Sequence, residues 1–434
     1  MSRFLNITQF KRKPMIAGAI FSLSAVMVAC GGGSSSSSNV TNDTATDNGD
    51  TDTVQEVTFD QVKANYILMA ESAYADSLKT ATDLQAAVDA FIAAPTEDNL
   101  AAAKAAYKDA RVPYQQSEIL RWDTAITSDV DLTIDGGPAS VDEWEGQVNA
   151  WPLDENHIVS LIQGTEEINT DLLLAQNGEG GEANVTTGVH AVEFMLWGED
   201  THGTDAGAGE RSASDFANDG SCVDTFCERR AQYLSVATDL LVADLTAMAA
   251  EWTATAATTQ GTLAYNFSNN NLALDYIVGS MIAMATDELA SARMGSGLTL
   301  GDPEEEHDCF SDLSHVAIFN NFIGVKNAFY GTYAEIDGAS LGDLIAQRDQ
   351  ALFDEIEAAF VSIEANMQII LDAGERTENT IRFDQIIGQD SSALERAAAE
   401  AAIEELISLD THFHNVQELL SLVEINTDGG GDGD

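Results

Sequence analysis

The feature that most constrains this chain is the spacing of its apolar residues. Between residues 59 and 94, Phe59, Val62, Tyr66, Met69, Ala73, Leu84, Val88, Phe91 and Ile92 recur at steps of three and four, the period at which an α-helix turns one face to a core. No stretch alternates apolar and polar residues as a half-buried strand would, and only six prolines interrupt the chain. Pro95 ends the first helix and Thr96 is placed as the N-cap of the next. That helix runs through the alanine-rich stretch 100–110 and should kink at Pro113 before continuing through Glu118, Arg121 and Trp122. Further helices are predicted at 186–198, 224–255, 270–294, 312–334, 341–373 and 391–422, with polar loops at about 125–145, 178–182 and 199–222. The fold class is therefore all-α.

The N-terminus reads as a targeting segment. Arg3, Lys11, Arg12 and Lys13 precede a short apolar run that ends at Val28-Ala29-Cys30, followed by glycines and serines. A small residue before a cysteine at the end of such a run is the pattern of a bacterial lipoprotein signal, with the Cys30 thiol lipidated and cleavage before it. Residues 1–29 are thus expected to be a signal peptide and 30–54 a flexible Gly/Ser/Thr/Asp tether. The tail at 426–434 is expected to be disordered and acidic. Gly31 after the cysteine favours the outer membrane, with the protein facing the periplasm or the cell surface. No later stretch reaches the roughly 18 uninterrupted apolar residues of a membrane span.

The formal charge is −53. Phosphate contact needs a basic patch, so nucleic acid is excluded as a partner; cation binding is compatible with it, as is a simply solvated acidic surface. With Cys30 lipidated, Cys222 and Cys227 are close enough in sequence to close a short disulfide loop, leaving Cys309 as a buried thiol. Pairing of Cys309 with either is the alternative that spacing leaves open. The aspartates at 129–135 have the flavour of a calcium loop but lack the EF-hand spacing and its terminal glutamate.

Three acid–histidine pairs lie three residues apart and so on one helical face: His190 with Glu193, Asp312 with His315, and Asp154 with His157. Such pairs build iron sites in helical bundles, although an acidic chain forms some of them by composition alone. Context separates them. His190 and Glu193 sit in GVHAVEFMLWG (residues 188–198), where nearly every neighbour is apolar, so both should be buried and must find partners or a metal. Glu118 and Arg121 share the face of Tyr114 and read equally as a structural ion pair or as part of a charged site. His202 and His307 read as ordinary surface, and His412 and His414 point to opposite sides of a helix.

The segment 188–198 resembles the signature of the imelysin family. Residues 107–121 (YKDARVPYQQSEILR), 149–155 (NAWPLDE), 306–315 (EHDCFSDLSH), Asn320-Asn321-Phe322-Ile323-Gly324 and Phe383-Asp384 fit the same family in the same order. Leu313-Ser314 replaces a more usual polar pair. The resemblance implies two four-helix-bundle-like halves related by duplication, here 55–205 and 206–425, with the histidine–glutamate motif in the cleft between them. It implies a site of His190 and Glu193, with Glu118 and Arg121 from the first bundle and Asp154, Asp312 and His315 as neighbours; Arg121 would position a ligand. Family members are linked to iron regulation and uptake, and some are described as insulin-cleaving metallopeptidases.

Three functions follow. The leading one is a metal-binding lipoprotein of the cell envelope, taking iron or alternatively zinc and acting in iron uptake or homeostasis beside iron-transport proteins. The second is a metallopeptidase acting on a peptide substrate through His190 and Glu193. It lacks the two-histidine signature with an adjacent glutamate, and its general base is not identified by sequence. The third is a non-enzymatic interaction module in which the buried pair only holds helices together.

Overall fold

The computed structural model describes residues 56–120, 145–222 and 224–423. The signal, the tether, Cys30, Arg121, the acidic loop at 129–137 and the tail lie outside the described residues. Helix α1 (Phe59–Ala93) opens on a capping box, in which Thr58 accepts from the Gln61 amide and Gln61 accepts from that of Thr58. Thr96 caps α2 (Glu97–Ser117), as its position predicts, by accepting from the Asn99 amide at 3.3 Å. This helix carries on past Pro113 to Ser117 and gives way to a 3-10 turn at Glu118–Leu120.

Short helices α3 (Glu145–Val148), α4 (Glu155–Gln163) and α5 (Thr170–Gln176) lead to the apolar α6 (Gly188–Trp197). The long α7 (Cys227–Glu251), α8 (Leu263–Asn269) and α9 (Ala273–Ala283) follow, and α9 continues as a π-helix over Met284–Arg293. After α10 (Gly295–Leu300) come α11 (Ser314–Tyr330), α12 (Leu341–Ala346), α13 (Gln350–Glu375), α14 (Phe383–Gly388) and α15 (Leu394–Leu420). A two-residue hairpin, β1 (Thr332–Tyr333) against β2 (Ile336–Asp337), pairs antiparallel with Tyr333 opposite Ile336. It is too short to leave an alternating signal. The single helix predicted over 341–373 is two helices, because Asp349 turns its carboxylate onto the amides of Ala351 and Leu352 and restarts the chain.

The long helices bury their apolar stripes on one another. Helix α1 packs on α2 and α7, and α2 lies against α11; α11, α13 and α15 form a second layer closed by the π-helix. Helix α7 is long and apolar enough to cross a membrane. It instead packs on α1 and α6, and its Asp244 accepts from Gln147 at 2.8 Å. In the second layer, Phe360 of α13 is fully buried against Phe322, Phe329 and Phe413, with ring centroids 5.8, 5.1 and 6.4 Å away. Truncating Phe360 to alanine leaves a cavity among aromatics held on different helices. We expect a loss of about 3–5 kcal/mol, measured as a lower midpoint in guanidinium unfolding.

Candidate metal centre

Helix α6 is apolar along nearly its whole length, and all ten of its residues are buried. Its start is dictated by Gly188, whose φ of +80° suits glycine and whose missing Cβ leaves room for the Val148 carbonyl. Any side chain there would collide with that carbonyl. Glycine therefore lets α6 dock on the end of α3 and sends His190 and Glu193 inward.

Both residues are wholly shielded from solvent. His190 Nδ1 lies 2.9 Å from Glu193 Oε2. The other carboxylate oxygen, Oε1, accepts from the Ser311 amide at 2.9 Å and from its hydroxyl at 2.6 Å. Nε2 of His190 has no hydrogen-bond partner. The imidazole is wedged between Trp151 and His307, whose rings are centred 4.9 and 4.6 Å away. Burial lowers the imidazole to about 3, so it is neutral at any ordinary pH. Burial, reinforced by the charge of Asp308, pushes Glu193 up to about 8 against the two Ser311 donors. Ligand atoms of His190, Glu193 and Asp308 all lie within 4.8 Å of one another.

Around this trio runs a buried polar network. Arg111 of α2 grips Asp308 through Nε at 2.9 Å and Nη2 at 3.1 Å, and donates through Nη1 to Asn149 Oδ1 at 2.9 Å. Burial acts to raise the Asp308 carboxyl, but the Arg111 guanidinium outweighs it and holds the group well below the usual carboxylate range. Nδ1 of His307 sits 3.3 Å from both Asp308 Oδ2 and Arg111 Nη2. Asn149 hands the network on, donating to Glu118 Oε1 at 2.9 Å and Glu145 Oε1 at 2.8 Å. Arg293, at the end of the π-helix, is held at 2.9 Å by both Glu118 and Glu288.

The predicted site residues divide accordingly. His190 and Glu193 do meet in the interior, although their first contact is with each other. Glu118 is buried one layer out, reached through Asn149. Asp154 is the N-cap of α4, accepting from the Asn156 amide at 3.0 Å, and does not reach the trio; His157 bonds the Gln176 carbonyl. His315 turns the other way, with Nε2 2.8 Å from Glu375, itself held by Lys108. Asp312 faces Glu306 and Asp384 instead. Cys222 and Cys227 are disulfide-bonded and Cys309 is a buried free thiol.

The reading of His307 as surface is overturned, since it is 1% exposed and packs on His190. Acidic neighbours on either side concealed it. Arg111, Asn149 and Asp308 were not singled out either, although all three lie inside the motif segments. Their only signal is membership of those segments, since Asn149 is uncharged and Asp308 stands among acidic neighbours. A surface cleft of about 410 Å³ adjoins the far end of α6, lined by Phe194, Trp197, Glu155, Glu199 and Arg211 among others; His190 and Glu193 are not among its walls.

The helical fold has counterparts among known proteins. The imelysin family (Peptidase_M75) matches over residues 70–411, and the chain belongs to that family. Its fold is similar to that of a crystal structure described as an iron-regulated protein A precursor from Parabacteroides distasonis ATCC 8503. The TM-score is 0.61 at 19% identity, covering 84% of this chain and 96% of the other. It is also similar to an imelysin-like protein from Psychrobacter arcticum 273-4, with a TM-score of 0.57 at 14% identity over 85% of this chain and 98% of that one. No curated protein matches the sequence.

Replacing Arg111 with methionine would leave Asp308 charged, buried and unpaired. The expected cost is about 3–5 kcal/mol, read from chemical denaturation. Arg111→Met combined with Asp308→Asn should recover part of that loss.

Proposed function

We propose that this imelysin-family protein binds a metal ion at the His190 centre and serves the cell envelope in iron uptake or homeostasis, anchored to the outer membrane through Cys30. The observation that carries the reading is the unpartnered, fully buried Nε2 of His190. A buried ring nitrogen without a partner is costly in an apolar interior. Carboxylate oxygens of Glu193 and Asp308 stand beside the ring, and a mixed nitrogen–oxygen donor set suits iron, with zinc as the alternative. When bound, the ion supplies a Lewis-acidic or redox-active centre.

The protein's own groups have divided roles. Once ionised, as loading of the centre requires, Glu193 accepts from Nδ1–H, which fixes the ring and leaves the Nε2 lone pair directed outward. Ser311 holds Glu193, and Arg111 holds Asp308 in its ionised form. The large negative charge draws cations toward the molecule. The description of the Parabacteroides protein as iron-regulated supports iron as the cargo.

A peptidase reading draws support from the family's peptidase designation and from the cleft beside Trp197, which could receive a peptide segment. Against it, His190 and Glu193 are both fully buried, so a peptide bond reaches them only if α6 or the 306–312 segment moves.

The test is titration of chelator-stripped mature protein with Fe(II) under anaerobic conditions and with Zn(II), alongside His190→Ala and Glu193→Gln. The expected result is tight binding by the wild type, loss in His190→Ala and a 10–100-fold weakening in Glu193→Gln. Equal binding by the wild type and His190→Ala would remove the proposal. Chelator-sensitive cleavage of a peptide, abolished in Glu193→Gln, would establish the peptidase reading.

A further inference from the structure

A second cluster lies outside the His190 centre. Glu306 follows the 3-10 turn at Pro303–Glu305, Asp312 stands two residues before α11, and Asp384 is the second residue of α14. Each is at most 3% exposed. One oxygen from each lies within 4.8 Å of the other two. Glu306 is wholly buried, and neither of its carboxylate oxygens has a hydrogen-bond partner; the same holds for Oδ1 of Asp312, while among the described residues Asp384 has only the amides at the start of its own helix beside it. Arg382, a cation whose charge acts on both Asp312 and Asp384, donates its guanidinium to the Asp312 main-chain carbonyl at 3.1 Å and forms no ion pair with the three acids among the described residues.

Such an arrangement is unfavourable as it stands. Buried carboxylates without donors either keep their protons or gather round a cation. Burial pushes Asp312 up to about 8 and Asp384 up to about 7, and mutual repulsion adds to both the Asp312 and Glu306 shifts. The backbone nevertheless holds the acids together, with Asp312 in a left-handed conformation at φ +53°.

We propose that Glu306, Asp312 and Asp384 form a second cation site, specific for a hard, oxygen-seeking divalent ion of the calcium class. The donor set is carboxylate oxygen alone, which suits Ca²⁺ over the softer ions that an imidazole favours. Calcium also gives up water more readily than Mg²⁺, as burial of Glu306 demands. The site goes beyond the His190 reading and is independent of it in donors, but the two share a scaffold. Along residues 306–312, Glu306 and Asp312 face the triad, while His307, Asp308 and Ser311 face the His190 centre. An ion in the triad would therefore hold the strap that carries half of the other centre.

The experiment is calorimetric titration of EDTA-stripped mature protein with CaCl₂, with MgCl₂ in a parallel arm. It is repeated on Glu306→Gln, Asp384→Asn and His190→Ala, with the fold of each checked by circular dichroism. The expected result is one equivalent of Ca²⁺ in the wild type with Mg²⁺ at least tenfold weaker. Folded Glu306→Gln and Asp384→Asn should lose at least tenfold in affinity, while His190→Ala retains the full equivalent. Absence of Ca²⁺ binding by the wild type overturns the site whatever the variants do. Loss of Ca²⁺ in His190→Ala, or its retention in both triad variants, also overturns it. Asp384→Asn that melts higher than a wild type indifferent to Ca²⁺ would identify a proton-sharing cluster instead.

Discussion

The grip of Arg111 on Asp308 is the interaction on which the interior depends. It joins α2 to the segment before α11 through two hydrogen bonds in a space that water does not enter. A guanidinium suits that task because its fork is rigid and permanently charged. Through Asn149 the same side chain reaches α3 and Glu118, and through His307 it sets one wall against His190. Were the guanidinium absent, only the His307 ring among the described residues would face an ionised Asp308, and the segment carrying Ser311 would lose its anchor to α2.

Long helices were legible because burial of one face repeats in sequence: α1, α7, α11 and α15 stand within a few residues of their predicted spans. The division at Asp349 was not, since one capping carboxylate within a continuous apolar pattern leaves the period unchanged. The histidine–glutamate pair was legible from its apolar context. Its nearest partners were not, because His307 and Asp308 come from a region with no helical period, where an acidic neighbourhood resembles surface. The i, i+3 spacing that correctly joined His190 to Glu193 misled for Asp312 and His315. Asp312 precedes α11, its φ is positive, and the two side chains turn to different partners. Asp154 shows the same lesson, since an aspartate opening a helix is first of all a cap.

Residues 306–312 concentrate the chemistry. Helices can place side chains only at intervals of their pitch, whereas an irregular strap can turn successive residues to opposite sides. Here it delivers an imidazole, a clamped carboxylate and a hydroxyl to α6 and two carboxylates to the region beside α14. Donor chemistry then separates the two groups: nitrogen with oxygen on one side, oxygen alone on the other. The resemblance to the Parabacteroides and Psychrobacter structures extends over most of the chain at low identity, so it establishes the helical shell alone.

The most direct measurement is anomalous diffraction, at the iron and zinc absorption edges, from crystals of the protein loaded with each metal. The expected result is a peak about 2.1 Å from His190 Nε2, with an Asp308 oxygen in its coordination sphere and Glu193 kept on Nδ1. Crystals loaded at stoichiometric metal that show no density beside that imidazole, or show it only elsewhere on the molecule, would contradict a metal centre at His190.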